Sequence, residues 1–406
     1  MREALCPRIL TDTMPRQPNI LLITTDQQRY DHLGLKGVRG VDTPNLDRLG
    51  REGVHFDRAY TSCPVCTPAR LTLLTGQYPS IHGGFSIGVI VDFFPEPTVA
   101  GRLLEAGYDT ALFGKAHFVR RADEEAHFTG GKDVEPDYYR DHTGPFVGFR
   151  RALVEKGHTI SHVPGMHYRV FLEDAGVDYS KWFPDLTGGH DHAATGAWNI
   201  PSEYHDTAWV AGNTIEWIRG RERETEKPWF CWASFQDPHE PFVCPEPWYS
   251  SVRTDEMELY PDYREAEFED KPAFYKEALD AGFGADQGHG STGGNTQWKG
   301  FNDGNGIPSA FNRTDIRGRE AEALQATLGM VAFIDDRVGA ILSALEETEQ
   351  AQDTIVIFTT DHGEIHGHHG LWHKGLFAYD DNHRIPLLVW GPGAVASRGT
   401  VDALAN

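Results

Sequence analysis

Residues 19–27 read NILLITTDQ, and residues 354–362 read TIVIFTTDH. Each segment is a continuous apolar run that ends in an acidic residue, the pattern of a strand buried on both faces. Between these strands the chain alternates short apolar runs with helical patterns. The clearest helical pattern has apolar residues at spacings of three and four, namely Leu324, Leu328, Val331, Ile334, Val338, Ile341 and Leu345. The alternation predicts an α/β fold with a large, mostly parallel sheet and helices on both faces.

Composition narrows the class of protein. The chain has 406 residues, 39% of them hydrophobic, and a formal net charge of −23. A large core is therefore possible, and the acidity argues against nucleic acid or an anionic membrane as a partner. The sequence lacks an apolar run of 18 residues, and residues 1–18 lack a signal-peptide pattern. Together with an odd number of cysteines, five, these features predict a cytoplasmic protein without a disulfide framework.

Polar residues follow four of the predicted strands. In an open α/β sheet, the carboxyl ends of the strands form the ligand crevice. Carboxylates, imidazoles and a lysine are therefore predicted to meet at one edge of the sheet. The residues are Asp26, Gln27, Lys115, His117, Asp237, His239, Asp361 and His362.

The segment from residue 63 to residue 76, CPVCTPARLTLLTG, contains the candidate nucleophile. Cys63 and Cys66 form a CxxC pair, which is compatible with a redox motif or with half of a zinc site. The sequence has no second CxxC. Alternatively, Cys66 lies at the start of a helix signalled by Pro68, where free N–H groups and the helix dipole favour an anion.

The stretch CTPAR at residues 66–70 resembles the C-x-P-x-R signature of the sulfatase family, the formylglycine-dependent branch of the alkaline-phosphatase-like superfamily. Further blocks occur in family order, including PNILLITTDQQRYDHLG, GKAHF, QDPHEPF and FTTDHGEIHGHHGLWHKG. The resemblance implies an alkaline-phosphatase-like fold. It also implies that Cys66 is oxidised to Cα-formylglycine by a maturation enzyme, and that its hydrated aldehyde is the nucleophile.

The resemblance implies one divalent cation in the site. Its ligands would be Asp26, Gln27, Asp361 and His362, together with an oxygen of residue 66. Hard oxygen ligands favour Ca²⁺ first, with Mg²⁺ or Mn²⁺ as alternatives. The family often has Asp where Gln27 stands and Asn where His362 stands. These departures resemble phosphonate monoester hydrolases and choline-sulfatase-like members.

The remaining roles implied by the resemblance concern the sulfate group. Arg70 would hold the diol oxygen, and Lys115 and His117 would contact formylglycine and sulfate. His239 and Lys374 would bind sulfate and assist the leaving oxygen. A further histidine, His369, would line the site.

The resemblance therefore implies a sulfuric ester hydrolase that cleaves a small sulfate monoester in an arylsulfatase-like reaction. Two alternatives remain open. One is a phosphonate monoester or phosphodiester hydrolase on the same scaffold, and the other is a non-catalytic anion-binding protein with unconverted Cys66. The sequence carries no indication of oligomeric state. The dense histidines at 366, 368, 369 and 373 are compatible with a second metal site or with a pocket wall.

The predicted organisation is an N-terminal extension at residues 1–18 and a catalytic domain at residues 19–397. Two long segments without clear periodicity, about 121–198 and 281–306, are expected to be insertions. Residues 398–406 are expected to begin a C-terminal subdomain that is missing or shortened.

Overall fold

A computed structural model gives the structure of most of the chain. It describes residues 17–85, 90–91, 98–117, 119–120, 136–155, 164–183, 195–220, 226–260, 264–273, 275–276, 316, 318–375, 377–391 and 398–406. The predicted insertion at 281–306 lies outside the described residues, as does most of the predicted N-terminal extension.

A nine-stranded, mostly parallel sheet forms the centre of the fold, as predicted. The strands within the described residues are β1 Asn19–Thr25, β2 Val54–Tyr60, β3 Ile90–Val91, β4 Asp109–Lys115, β5 Val119–Arg120, β6 Arg151–Glu155, β7 Thr195–Trp198, β8 Trp229–Ser234, β9 Phe242–Pro245, β10 Thr354–Thr360, β11 Arg384–Ile385, β12 Leu387–Trp390 and β13 Gly399–Ala405. The order in the large sheet is β11-β2-β12-β10-β1-β8-β4-β6, with β13 paired parallel to β2. The core strands β10, β1, β8, β4 and β6 are all parallel neighbours. Two further pairs, β3 with β5 and β7 with β9, form small parallel sheets.

Helices cover both faces of this sheet. The α-helices in the part of the chain that the structure describes are α1 Pro44–Glu52, α2 Cys66–Thr75, α3 Pro79–His82, α4 Val99–Glu105, α5 Pro136–Asp141, α6 Met166–Asp174, α7 Asp206–Ile218, α8 Trp248–Ser251, α9 Glu320–Glu347 and α10 Asp380–His383. The predicted long helix is α9, which packs against α1 and α7. Within the described ranges, no helix combines the length and apolar character needed to cross a bilayer.

Alternate residues of β1 belong to different halves of the core. Leu21 and Ile23 join the cluster that contains the apolar residues of α7 and α9. Leu22 joins the opposite cluster, with Leu71 of α2 and Ala100 of α4. The central strand is thus buried on both faces, which explains why its sequence is continuously apolar rather than alternating.

The structure divides the apolar run at residues 385–389 between two strands. Pro386 separates β11 from β12, because proline has no N–H to donate to the ladder. Both strands are antiparallel to β2. Within the segment 121–198, which is predicted to be an insertion, Arg151–Glu155 forms an edge strand of the main sheet.

Residues 398–406 also join the main sheet. Gly399–Ala405 forms β13, which pairs with β2 and shifts register after Val401.

Candidate active site

The candidate site lies where β1, β4, β8 and β10 end and where α2 begins. Asp26 follows β1, Lys115 ends β4, and Asp361 follows β10. Cys66 is the first residue of α2 and is fully buried, and the helix is capped at its C-terminus by Gly76, which has a left-handed conformation. The parallel strands therefore bring together residues that lie more than 300 positions apart in sequence.

Four donor groups converge at this edge. Atoms of Asp26, Cys66, Asp361 and His362 all lie within 4.8 Å of one another. The Sγ of Cys66 lies 3.2 Å from Nε2 of His362 and 3.7 Å from Oδ1 of Asp26. These four residues were predicted as ligands, and the fold brings them together.

The His362 ring is oriented as a metal ligand requires. Its Nδ1 lies 2.9 Å from the carbonyl oxygen of Gly363, so a proton on Nδ1 is donated there and the lone pair of Nε2 faces the carboxylates. Burial is the main cause that lowers the pKa of His362, which favours the neutral ring. This donor set suits a divalent cation, because it consists of two carboxylates, one imidazole and the side chain of residue 66.

Arg70 links the carboxylates of Asp26 and Asp361. Its Nε donates to Oδ2 of Asp361 at 2.8 Å, and its other nitrogens donate to Oδ2 of Asp26 at 3.2 Å and to Oγ of Ser234 at 2.8 Å. A fourth bond goes to the backbone oxygen of Lys115 at 2.9 Å. Because four of its N–H groups donate to buried partners, Arg70 fixes the positions of both candidate ligands.

Lys115 adds a second buried cation. Its Nζ forms an ion pair with the carboxylate of Asp26, and both side chains are fully buried. Burial opposes the charge of Asp26, but Lys115, His239 and Arg70 outweigh it and hold the pKa of Asp26 well below its usual value.

His117 was predicted to contact the nucleophile. The structure places its backbone oxygen 2.8 Å from Oγ1 of Thr67, one residue after Cys66. Burial first, and then Lys115, lower the pKa of His117 well below its usual value, so its ring is neutral.

Lys374 and His239 meet on the other side of the cluster. Lys374 Nζ donates to Oε1 of Gln27 and contacts Nε2 of His239. Nδ1 of His239 lies 2.7 Å from the backbone oxygen of Glu240 and 3.0 Å from its carboxylate. Burial opposes protonation of His239, but Glu240 outweighs it and raises the pKa of His239.

Gln27 was predicted as a metal ligand, but its side chain contacts Lys374 and Glu240. Its Nε2 donates to Oε2 of Glu240 at 2.7 Å and also to Glu364, while its Oε1 accepts from Lys374. Its backbone N donates to Oδ1 of Asp361 at 3.1 Å. Coordination by Gln27 stays a prediction.

Glu240 and Glu364 are the functional candidates that the sequence reasoning missed. Both are buried, and with His373 they place three ligand-type atoms within 4.8 Å. Nδ1 of His373 lies 2.8 Å from Oε1 of Glu240. Adjacency to His239 and to the DHGE motif was the available signal for these two glutamates.

The remaining predicted residue, His369, has a different environment. Its ring stacks on Tyr379 at 3.8 Å between centroids, and its nitrogens face Glu267 and Asp381. These contacts tie it to a partly exposed acidic group, and its role in lining the site stays a prediction.

The CxxC alternative is not favoured by the geometry. Cys63 and Cys66 are both free cysteines. Burial raises the pKa of Cys63 to about 11, which disfavours the thiolate that redox or zinc chemistry requires. The groups clustered with Cys66 are carboxylates and an imidazole rather than a second pair of thiols.

The chain matches a family model and several known proteins. The family model described as Sulfatase matches residues 18–406. An arylsulfatase of Clostridium perfringens is 28% identical over 392 residues, which cover 93% of this chain and 69% of that protein. A choline-sulfatase of Rhizobium meliloti is 26% identical over 380 residues, with 93% and 63% covered. The chain thus spans about two thirds of the length of these relatives.

Among solved structures, the phosphonate monoester hydrolase of Agrobacterium radiobacter superposes with a TM-score of 0.69 at 27% identity. The match covers 95% of this chain and 70% of that one.

Proposed function

This chain belongs to the sulfatase family, and from that premise we propose that it is a sulfuric ester hydrolase that cleaves a small sulfate monoester. The observation that carries the proposal is the position of Cys66. Its side chain lies among three metal-type donors at the strand ends, and buried cationic groups surround that cluster. A sulfate ester is an anion, and its negative charge must be neutralised while it is attacked. The buried cationic groups, together with a bound cation, would neutralise that charge.

Asp26, Asp361 and His362 would hold the divalent cation, with Gln27 as a further candidate. Ca²⁺, Mg²⁺ and Mn²⁺ suit the oxygen-rich donor set. When bound, the cation would neutralise the sulfate oxygens and favour ionisation of the nucleophile.

Residue 66 would act after conversion to formylglycine. The Sγ atom of Cys66 occupies the position that oxygen would take in the converted residue. Conversion supplies a hydrated aldehyde, whose hydroxyl is a nucleophile and whose second hydroxyl allows sulfate to be released.

The surrounding side chains would orient the reactants and move the proton. Arg70 keeps Asp26 and Asp361 in place, and Lys115 and Lys374 would bind sulfate oxygens. The alcohol leaves as the S–O bond breaks, and it needs a proton. Lys374 and His239 contact each other, so either Nζ or Nε2 can deliver that proton.

A second candidate function is phosphonate monoester hydrolysis. Gln27 and His362 depart from the usual family pattern in that direction. The structural similarity to a phosphonate monoester hydrolase at 27% identity also favours it. Lys115 and His117 favour sulfate.

The test combines the mass of the peptide that contains residue 66 with measurements of turnover. The chain would be produced together with a formylglycine-generating enzyme, and the peptide that contains residue 66 would be weighed. We expect a lighter residue 66, and a higher kcat/KM for an aryl sulfate than for an aryl phosphonate. Cys66→Ala should abolish turnover, whereas Cys63→Ser, the matched control, should retain it. A converted protein that hydrolyses only the phosphonate would favour the second candidate. A protein that keeps the Cys66 thiol and binds sulfate without turnover would instead be an anion-binding protein.

A further inference from the structure

Four buried side chains form a closed ring of contacts in the candidate active site. Nε2 of Gln27 donates to Oε2 of Glu240 at 2.7 Å, and Oε1 of Gln27 accepts from Nζ of Lys374. Nζ of Lys374 contacts Nε2 of His239, and Nδ1 of His239 lies 3.0 Å from Oε2 of Glu240. Each of the four residues is at most 6% exposed. The ring therefore joins residues that follow β1 and β8 to Lys374, which lies beyond β10.

The orientation of the Gln27 amide follows from its neighbours. Its NH₂ group donates to the carboxylates of Glu240 and Glu364, whereas its oxygen faces the ammonium of Lys374. The reversed amide would place N–H donors against Lys374, which has no acceptor, and an oxygen against two carboxylates. The two glutamates therefore hold the amide oxygen towards Lys374. Because an amide oxygen has two lone pairs, this contact still leaves one of them for a cation.

The imidazole of His239 is oriented by the same glutamate. Its Nδ1 lies 2.7 Å from the backbone oxygen of Glu240 as well as 3.0 Å from the carboxylate, so a proton on Nδ1 is directed to Glu240. Nε2 is then left to accept from Nζ of Lys374. The backbone oxygen alone can fix this tautomer, but only the carboxylate connects His239 to Gln27 and, through Gln27, to Lys374.

Glu240 is itself held from a further side. Its other oxygen, Oε1, lies 2.8 Å from Nδ1 of His373, the residue before Lys374. One carboxylate thus contacts both neighbours of Lys374 in the ring, Gln27 and His239, and also the residue that precedes Lys374 in the chain. A change at Glu240 would therefore reach Lys374 by three routes.

We propose that Glu240 is a positioning residue, which holds Nζ of Lys374 and Nε2 of His239 together at the place where the leaving alcohol takes its proton. The proposal rests on the proposed function, in which one of these two atoms protonates the alcohol oxygen as the S–O bond breaks. Glu240 acts through Gln27 and His239 and does not itself contact the alcohol. Since a displacement of about 1 Å can cost about 10²-fold in rate, the loss of such a contact is measurable.

A comparison of two leaving groups tests the proposal. Glu240→Gln keeps the size of the side chain, but it removes the charge and turns an N–H donor towards partners that are themselves donors. The full chain, produced with a formylglycine-generating enzyme, would be assayed on an alkyl sulfate and on 4-nitrophenyl sulfate, whose phenolate leaves without a proton. We expect kcat for the alkyl sulfate to fall by about 10–10²-fold, with KM and the kcat for 4-nitrophenyl sulfate changed by about threefold or less. Glu226→Gln, at an exposed glutamate, is the matched control and should behave as the wild type.

A double variant tests whether Glu240 acts through Lys374. In the Lys374→Ala background, Glu240→Gln should lower kcat for the alkyl sulfate by a further factor of about three or less, because the pair that Glu240 holds together is already broken. Losses that multiply in the double variant overturn the proposal. An equal loss on both substrates in the single variant also overturns it, because general damage to the fold would affect the two leaving groups alike.

A crystal structure of the wild type tests the ring without relying on a variant that folds. Contacts of Gln27 with Glu240 and of Lys374 with His239 support the proposal, and a Gln27 amide or a Lys374 ammonium turned away from these partners overturns it. The two proposals fail separately. A converted wild type that leaves both sulfate esters intact counts against the hydrolase, and the crystal structure still decides whether the ring exists. An active wild type whose Glu240→Gln variant loses equally on both substrates counts only against the role of Glu240.

Discussion

The Nε of Arg70 lies 2.8 Å from Oδ2 of Asp361, and both side chains are at most 1% exposed. The same guanidinium reaches Asp26, so one arginine compensates two buried carboxylates that come from different strands. Breaking such a pair leaves uncompensated charge in the interior.

We therefore expect Arg70→Met to lower the free energy of unfolding by about 3–5 kcal/mol and to abolish turnover. Urea denaturation and a kinetic assay would measure the two effects. Arg102→Met, which removes an exposed ion pair with Glu105, should change stability by about 0.5 kcal/mol or less. An Arg70→Met protein as stable as this control would show that the carboxylates are compensated in some other way.

Gln27 offers a test of the charge balance around the buried carboxylates of Glu240 and Glu364. Its amide nitrogen donates to Glu240 and to Glu364, so replacement by glutamate would place three carboxylates together. We expect Gln27→Glu to lower the free energy of unfolding by about 2–4 kcal/mol, because a donor is lost and like charges meet in a buried place. Thermal melts at neutral pH would measure it. Gln352→Glu, at an exposed position, is the control, and equal melting temperatures for the two variants would contradict this account.

The strand ends were predictable from the sequence because each is a local pattern, an apolar run followed at once by a polar residue. Asp26 and Asp361 follow β1 and β10, which are direct neighbours in the sheet. The pairing of these strands therefore places the two carboxylates in one site. Cys66 and Arg70 were predictable because five consecutive residues carry the family signature.

Other parts were not predictable because they depend on tertiary packing. The edge strand β6 has only five residues, RALVE, and its sequence does not distinguish it from a loop. The carboxylates of Asp206 and Asp237 lie within 4.8 Å of each other, which requires that α7 start close to the end of β8. The sequence carries no mark of that, because 30 residues separate the two side chains.

If Lys374 or His239 protonates the leaving alcohol, the effect of removing Lys374 on kcat/KM should depend on the leaving group. Lys374 contacts His239, and removing the proton donor matters most when the alcohol is a poor leaving group. We expect Lys374→Ala to reduce kcat/KM for an alkyl sulfate by about 10²–10⁴-fold, and by much less for 4-nitrophenyl sulfate. Lys181→Ala, an exposed lysine, should leave both rates unchanged. An equal loss on both substrates would instead assign Lys374 to sulfate binding alone.

Acid sensitivity of the fold is expected from a buried histidine on α6. His167 of α6 is buried and uses both ring nitrogens. Nδ1 accepts from the N of Val154 at 3.1 Å, and Nε2 donates to the backbone oxygen of His142 at 3.0 Å. Burial lowers the pKa of His167 to about 4 from an ordinary value of 6.5. The folded protein therefore holds this ring neutral in the range where the unfolded chain takes up a proton.

The sign of the effect follows from that difference. The stabilisation is complete above pH 6.5 and is lost as the pH falls towards 4, at about 1.4 kcal/mol per pH unit, or roughly 3 kcal/mol in total. We expect the free energy of unfolding of the wild type to fall more steeply between pH 6.5 and pH 4 than that of His167→Gln, measured by urea denaturation at several pH values. His142→Gln, at an exposed histidine, should keep the steep wild-type profile. Parallel profiles for the wild type and His167→Gln would mean that His167 is protonated within the folded protein.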